Sequence, residues 1–141
     1  MATEADQPTI RRLIKQAGIN PMNLHWPNFV VADDHGTVIG LGQVKTHRDG
    51  SRELASIVVV PERQHEGIAT AIINTLLARE TGDVLYLTCQ PDLEGYYARF
   101  GFDRVESAEY PQYFRRFLPI FNFVGRWFGI RILVMRRDPY G

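Results

Sequence analysis

The most regular pattern of hydrophobic and polar positions lies between Glu53 and Arg79. The β-branched run Ile57–Val60, preceded by Leu54, is typical of a strand buried on both faces, and Pro61 ends it. After a polar turn, apolar residues recur at the period of an amphipathic helix; they are Ile68, Ile72, Ile73, Leu76 and Leu77. The pattern predicts a buried strand that turns sharply into a helix beginning near Gly67.

The segments before this stretch predict a helix and a β-hairpin. Asp6 is a suitable N-cap for a helix that ends at Gly18, and residues 20–27 form either a loop or a short second helix. Two runs, 29–32 and 37–45, read as strands because they are apolar or alternating and are joined by a glycine-containing turn. A second turn, at 47–51, leads into the central strand.

The segments after it predict three more strands and a helix. Thr81, Gly82 and Asp83 form a stop signal, and residues 84–88 then read as a strand parallel to the central one, because a helix connects the two. A helix over 91–100 ends at Gly101, and strands follow at 102–105 and, after a long connection, at 130–135.

Half of the aromatic residues lie between Tyr110 and Phe128, together with Arg115, Arg116 and Arg126. Three interpretations remain open: a helix over 111–118 and a loop that pack as core, a wall of an acceptor pocket, or a surface for a partner or a membrane.

Composition narrows the class of protein. The length of 141 residues and the 45% hydrophobic content predict a single domain over 1–141. Basic and acidic residues both number 16, which argues against nucleic acid as a partner, and no apolar run is long enough to span a membrane, so membrane contact is not expected. The single cysteine, Cys89, favours a reducing, cytoplasmic location.

Two sequence motifs resemble those of one enzyme superfamily. Residues 64–69, Gln-His-Glu-Gly-Ile-Ala, resemble the (Gln/Arg)-x-x-Gly-x-(Gly/Ala) signature of the GNAT N-acetyltransferases, and Tyr97-Ala-Arg-Phe-Gly-Phe resembles that superfamily's tyrosine-containing ending. The resemblance implies an α/β (α+β) fold: a mixed, partly splayed sheet with helices on both faces. Since only Met1 precedes the segment that follows the family's first strand, we expect that strand to be truncated or absent, which makes a homodimer through the free edge reasonable.

The resemblance also implies a site for acetyl-CoA. Main-chain groups of Val58, Val59 and Val60 would contact pantetheine, with the N–H of Val59 as an oxyanion donor. The helix start would hold the pyrophosphate, since first-turn amides and the helix dipole favour anions; the residues are Gln64, Gly67, Ile68, Ala69 and Thr70, and Gln90 stands where an asparagine often contacts the cofactor. Gln90 is one of three departures from the family pattern; the other two are His65, in place of a frequent glycine, and Glu66, a carboxylate beside phosphates.

Two residues are candidates for the chemistry. Glu53 matches the position of a glutamate base in some family members, and strand alternation would place it on one face with Ala55, Ile57 and Val59; the alternative is a solvated charge at a strand end. Tyr97 would act as general acid toward the coenzyme sulfur, and the alternative is a packed core tyrosine. The scattered histidines have no metal-ligand spacing, so no metal site is expected.

The resulting hypothesis is an N-acetyltransferase that moves an acetyl group from acetyl-CoA to a small-molecule or peptide primary amine by direct attack on the thioester. The competing hypothesis is a non-catalytic acyl-CoA-binding module that presents the 110–128 segment to a partner.

Overall fold

The computed structural model describes residues 1–80, 82–125, 129 and 131–139. Within these residues the helices are α1 (Gln7–Ala17), α2 (Ile68–Arg79), α3 (Glu94–Ala98) and α4 (Gln112–Gly125). The strands are β1 (Phe29–Asp34), β2 (Thr37–Thr46), β3 (Arg52–Val59), β4 (Leu85–Cys89), β5 (Asp103–Arg104) and β6 (Leu133–Arg137). The sheet has the order β1-β2-β3-β4-β6-β5, with β3 and β4 parallel and β4 and β6 antiparallel. The predicted mixed α/β sheet is confirmed.

The chain divides into two compact units. The first comprises Met1–Lys45 and Leu54–Thr81, and the second comprises Thr46–Glu53 and Gly82–Gly141. Strand β3 contributes to both, since its first two residues belong to the second unit. This division into compact units does not test the prediction of a single domain over 1–141, which stays a prediction.

The first unit is built around α1 and the hairpin of β1 and β2. Ile10, Leu13 and Ile14 form the buried face of α1 and belong to the same core cluster as Phe29 and Leu41. Asp6 lies at the predicted N-cap position of α1, but its carboxylate accepts a hydrogen bond from the Thr3 amide at 2.8 Å rather than from the helix. The helix ends, as predicted, at Gly18, whose φ of 71° is left-handed.

Within residues 1–28, all of which the structure describes, no strand precedes β1. In place of a paired strand, the N-terminal residues contact β1 through a backbone hydrogen bond from the Ala2 amide to the Phe29 carbonyl at 3.3 Å, and Ala2 is buried. Residues 20–27 were predicted to form either a loop or a short helix. The structure shows a loop that ends in a short 3₁₀ turn, Trp26–Asn28.

Strand β3 contains a β-bulge that the sequence did not predict. Ser56 has a φ of 60° in the middle of the strand. The backbone bonds His47 N to Ser51 O and Val60 N to Ile39 O show that β3 holds one residue more than β2 over the same interval. The expected alternation from Glu53 to Val59 is therefore wrong, because an extra residue reverses the facing of every side chain after it.

Close packing of α2 on β2 depends on two glycines. A Cβ atom on Gly42 would lie 2.5 Å from Ile57 Cδ1 and 2.9 Å from Ile72 Cγ2, and one on Gly40 would lie 3.0 Å from Ile72 Cδ1. The absence of side chains at these two positions lets the helix approach the strand. The buried face of α2 is the predicted one, with Ile72, Ile73, Leu76 and Leu77.

The second unit begins with the parallel pairing of Arg52 and Glu53 with Leu85 and Tyr86. The helix predicted over 91–100 is shorter than expected, because Pro91–Leu93 form a 3₁₀ turn before α3. Helix α4 is longer than the predicted 111–118, and its Phe114 and Leu118 pack in a core cluster with Val105 and Val134. Thr81, residues 126–128 and Ile130, which also entered the predictions, lie outside the described residues.

We expect Gly42→Ala to destabilise the protein by about 1–3 kcal/mol, because the new methyl group would overpack the contact between α2 and β2. Urea unfolding measures this effect. Gly95→Ala is the matched control: a Cβ there meets nothing within 4 Å, and alanine favours the helix in which it lies. Equal stability of the two variants would contradict the proposed close contact.

Candidate active site

The turn before α2 has two residues in the left-handed conformation. Gly67, the N-cap of α2, has a φ of 83°, and a Cβ atom on it would meet nothing within 4 Å. His65 has a φ of 67°, so the frequent glycine of the family motif is replaced here by a residue that adopts the glycine conformation. The Gln64 side-chain amide donates to the Val59 carbonyl at 3.2 Å, which ties the turn to the end of β3.

The first turn of α2 carries backbone N–H donors next to the left-handed turn at Gly67. The bond from Ala71 N to Gly67 O, 3.1 Å long, is the first of the helical series. The amides of Ile68 and Ala69 precede it and have no carbonyl one turn earlier in the helix to accept from them. Together with the positive end of the helix dipole, this arrangement suits an anion such as phosphate.

The carboxylate of Glu66 is held by Arg63. Its two oxygens each accept from Arg63 Nε at 3.1 Å, and Arg63 Nη1 donates to Asp34 at 2.6 Å. The hydrogen bond from Arg63, followed by one with His35, holds the pKa of Asp34 below its usual value. Glu66 is therefore an ion-paired side chain beside the turn. Arg99 lies in the second unit, with its guanidinium 5.8 Å from the centre of the Tyr96 ring.

The end of β3 directs alternate backbone groups to opposite sides. Val60 N donates to Ile39 O at 2.9 Å and therefore faces β2. Since successive residues of a strand point their backbone groups in opposite directions, the N–H of Val59 faces away from β2. All three valines, Val58 to Val60, are half-buried rather than enclosed as the sequence predicted. The Val60 amide is thus hydrogen-bonded to β2, whereas the Val59 amide points to the other side of β3.

A cavity of about 540 Å³ adjoins the same segment. Its wall includes Val60 and Arg63 from the segment after β3, Arg12 and Gln16 from α1, and Thr37 at the start of β2. Of the residues predicted for the donor site, all of which the structure describes, Val60 alone lines this cavity, so the cavity lies beside the end of β3 and does not include the Gly67 turn.

In the second unit, Glu53 is paired with a histidine, a contact that the sequence did not predict. His47 Nε2 lies 2.7 Å from Glu53 Oε1, and both residues are buried. The His47 ring stacks on Tyr113 with a centroid distance of 3.5 Å and an interplanar angle of 12°. The interpretation of Glu53 as a solvated charge is wrong. The predicted turn at 47–51 was the available signal, because a hairpin turn brings flanking residues into cross-strand contact.

Asp49, in that turn, connects it to α4. Its Oδ2 accepts from the Tyr113 amide at 2.8 Å, while Oδ1 accepts from the amide and the hydroxyl of Ser51. Burial by itself would raise the pKa of Asp49, but the hydrogen bonds from Ser51 and Tyr113 outweigh it and the pKa is lowered. A side chain from the hairpin turn thus caps the first turn of α4.

Tyr97 lies on α3, partly buried, with its ring edge-on to Phe102 at a centroid distance of 6.4 Å. Burial, with smaller contributions from Cys89 and Tyr96, raises the pKa of Tyr97 to about 12. The phenol is therefore neutral and able to donate a hydrogen bond throughout the physiological range. Gln90 lies at the exposed start of the 3₁₀ turn before α3, and its carbonyl accepts from the Leu93 amide at 3.0 Å.

The described residues contain neither a metal-binding cluster nor a membrane-spanning helix. Among them no group of three or more histidine, cysteine, aspartate or glutamate side chains is arranged to hold a metal ion. No helix in the same part of the chain has both the length and the apolar character needed to cross a membrane.

Comparison with known proteins gives a consistent result. A family model described as "Acetyltransferase (GNAT) domain" matches residues 25–104. No match was found among curated protein sequences. N-acetylglutamate synthase from Neisseria gonorrhoeae, complexed with coenzyme A and N-acetyl-glutamate, is similar with a TM-score of 0.73 and 19% identity, covering 99% of this chain and 34% of that one. The chain therefore spans about a third of that protein.

Two other solved structures match over nearly their whole length. Rv2747 from Mycobacterium tuberculosis, in complex with CoA and a further ligand, has a TM-score of 0.72 and 19% identity, covering 99% of this chain and 97% of that one. The ribosomal-protein-S18-alanine N-acetyltransferase from Escherichia coli has a TM-score of 0.66 and 15% identity, and the match covers 100% of this chain and 94% of that one. At these identities the likeness shows the fold, and it confirms the GNAT-like architecture predicted from the sequence.

We expect Asp49→Ala to destabilise the protein at pH 7 by about 1 kcal/mol, the usual effect of removing a helix cap. Because the folded-state pKa of Asp49 is lowered, its contribution is complete above the ordinary aspartate pKa of about 3.9 and is lost as the pH falls through the folded-state value. The difference in melting temperature from the wild type should therefore shrink in acid. Asp33→Ala, at an exposed position, is the control; a difference that stays constant down to pH 3 would exclude the carboxylate cap.

Proposed function

Because the chain belongs to the GNAT family of acetyltransferases, we propose that it transfers an acetyl group from acetyl-CoA to a primary amine by direct attack of the amine on the thioester. Family membership makes it an acyltransferase with acetyl-CoA as the acyl donor. The observation that carries the finer proposal is the left-handed turn at Gly67, which opens onto free space at the start of α2.

The proposed donor site follows from the first unit. The amides of Gly67, Ile68, Ala69 and Thr70 would bind the pyrophosphate, and Gln64 holds the turn against β3. The ion pair of Glu66 with Arg63 supports this assignment, because the arginine offsets part of the repulsion between the carboxylate and a phosphate. The pantetheine arm would lie along Val58, Val59 and Val60, and Gln90 is a further proposed contact.

The reaction needs a deprotonated amine. An alkyl ammonium group has a pKa near 10.4, so removal of its proton at pH 7 costs roughly 4–5 kcal/mol. We assign Glu53 as the base, since its carboxylate is buried and held by His47 at 2.7 Å. The neutral amine nitrogen then forms a bond to the thioester carbon, and the oxygen becomes negative beside the Val59 amide. The carbonyl re-forms as the carbon–sulfur bond breaks and releases a thiolate, and the nitrogen gives its second proton to solvent, which leaves the neutral amide.

Tyr97 is proposed as the acid that assists the thiolate. A thiol has an ordinary pKa of about 8.5, so complete proton transfer from a phenol of pKa about 12 would be uphill by about 5 kcal/mol. If Tyr97 only donates a hydrogen bond to the developing thiolate, the free-energy cost of full proton transfer does not arise. The thiolate takes its proton from solvent afterwards. The main contribution of Tyr97 is thus hydrogen bonding.

The acceptor is a small-molecule or peptide amine in this proposal. One structural neighbour was solved with N-acetyl-glutamate, and another is named for a ribosomal-protein alanine, so proteins of this fold serve both kinds of acceptor. We further propose a cytoplasmic enzyme. A homodimer through β1 is also proposed, since β1 lies at an edge of the sheet order.

Acetyl-CoA at 100 times its Kd should stabilise the protein by about 2.7 kcal/mol, a rise of several degrees in melting temperature. Ala69→Glu should abolish the shift, because it adds a carboxylate at the proposed pyrophosphate site, whereas Ala71→Glu, exposed on the same helix, should not. A screen of primary amines with detection of free thiol then tests turnover. Stabilisation without turnover would favour a non-catalytic binding module, and absence of both would refute the donor site.

Tyr97→Phe should lower kcat by about 100-fold with little change in KM, because it removes a donor used mainly in the transition state. Tyr96→Phe is the matched control, since Tyr96 is the neighbouring tyrosine of the same helix, with its ring 5.3 Å from that of Tyr97. Steady-state kinetics on an active amine gives both parameters. Full activity of Tyr97→Phe would remove the proposed acid.

A further inference from the structure

The two carboxylate oxygens of Glu53 have different surroundings. Oε1 lies 2.7 Å from His47 Nε2, and an ionised carboxylate can only accept hydrogen bonds, so Nε2 is the nitrogen that carries the proton. Oε2 accepts no hydrogen bond from the described residues and is not sealed from solvent, since the side chain keeps 10% of its surface exposed. Glu53 thus offers one oxygen to a proton donor that arrives from outside.

The ring of His47 is fixed by two aromatic side chains of α4. One face of it stacks on Tyr113, with the ring centroids 3.5 Å apart, and Phe114 meets it edge-on at a centroid distance of 6.0 Å. Only 2% of the His47 side chain is exposed. The packing therefore prevents the ring from turning away, and its N–H group stays on Glu53.

The start of α4 is itself tied to the hairpin turn that carries His47. The Tyr113 amide donates to Asp49 at 2.8 Å, and the His47 amide closes the turn by donating to the Ser51 carbonyl at 2.8 Å. Burial raises the pKa of Tyr113, and the charge of Glu53 raises it further, in agreement with a phenol close to the carboxylate. All five residues belong to the second unit, so contacts within that unit support the carboxylate.

We propose that His47 is a positioning residue for the acetyl transfer: it holds Glu53 so that Oε2 takes the proton of the acceptor ammonium group. This inference rests on the proposed function. The N–H bond of the ammonium breaks with its electrons left on nitrogen, Oε2 gains the proton, and His47 keeps its own proton on Nε2. A general base acts within hydrogen-bond reach of the proton, about 2.6–3.2 Å, and a flexible glutamate fixed beforehand need not be ordered during the reaction.

The inference is tested with two acceptors of different basicity, ethylamine and 2,2,2-trifluoroethylamine, or the corresponding fluorinated pair of an amine that the screen identifies. The fluorines withdraw electrons, so the second amine is largely neutral at pH 7 and needs no base. His47→Phe keeps an aromatic ring but loses the N–H donor. We expect its kcat to fall about 100-fold with ethylamine, at nearly constant KM, and by less than about threefold with trifluoroethylamine.

His47→Gln separates positioning from packing. Its side-chain amide can donate to Glu53 but cannot stack on Tyr113 as a ring does, so it should recover at least about a tenth of the wild-type kcat with ethylamine. A purely structural role of His47 predicts the reverse order, because phenylalanine would keep the stacking contact and glutamine would lose it. Glu53→Gln, which removes the base itself, should show the same loss confined to ethylamine.

Tyr113→Ala is a second route to the same result, should His47→Phe fail to fold. It removes the ring that holds His47 and should lower kcat about tenfold with ethylamine alone. His25→Phe, at an exposed position, is the matched control and should behave as the wild type with both amines. Every variant should keep the stabilisation by acetyl-CoA, because none of these residues belongs to the proposed donor site.

The outcomes distinguish this inference from the proposed function. Equal losses with both amines in His47→Phe and Tyr113→Ala, or full activity of His47→Phe with ethylamine, would overturn the positioning role and leave the acetyl transfer intact. A wild-type protein that acetylates no amine would refute the acetyl transfer and this inference with it.

Discussion

The β-bulge at Ser56 determines how the first unit presents its functional groups. In a regular strand the side chains from Arg52 to Val59 would alternate between the two faces of the sheet without interruption. The extra residue at Ser56 breaks this alternation, so that each later residue faces the side opposite to the one expected. As a consequence the Val60 amide faces β2 and the Val59 amide faces away from it. The hydroxyl of Ser56 also accepts the hydrogen bond from Gln43, so the same residue fixes the backbone of β3 and the position of a buried polar side chain.

The anion site depends on a balance of charges around one arginine. Arg63 contacts both Asp34 and Glu66, two carboxylates that would otherwise oppose a phosphate at the start of α2. The left-handed His65 adds backbone strain of order 1 kcal/mol in the same turn, a feature commonly found where backbone groups are fixed for binding. Arg63 thereby offsets one of these two negative charges, and the amides of the helix start supply the remaining attraction for an anion.

Most of the elements were predictable from the sequence, because their hydrophobic periods are regular: α1, α2 and the hairpin β1–β2 all appear where the pattern placed them. The bulge was not, since serine carries no signal for a left-handed backbone. The partnership of Glu53 with His47 depends on the register of a hairpin, which residue spacing alone does not define. Helix α4 exceeds its predicted length, and part of its first turn is capped by Asp49, which is distant in sequence.

The glycines of β2 have a consequence for how this protein can change over evolution. Gly42 leaves room that Ile57 and Ile72 occupy, so the three positions share one volume. A side chain gained at position 42 would have to be accompanied by a smaller one at 57 or 72. Homologous sequences should therefore show covariation among these positions, and a mutational path that passes through Gly42 before its partners change would be blocked.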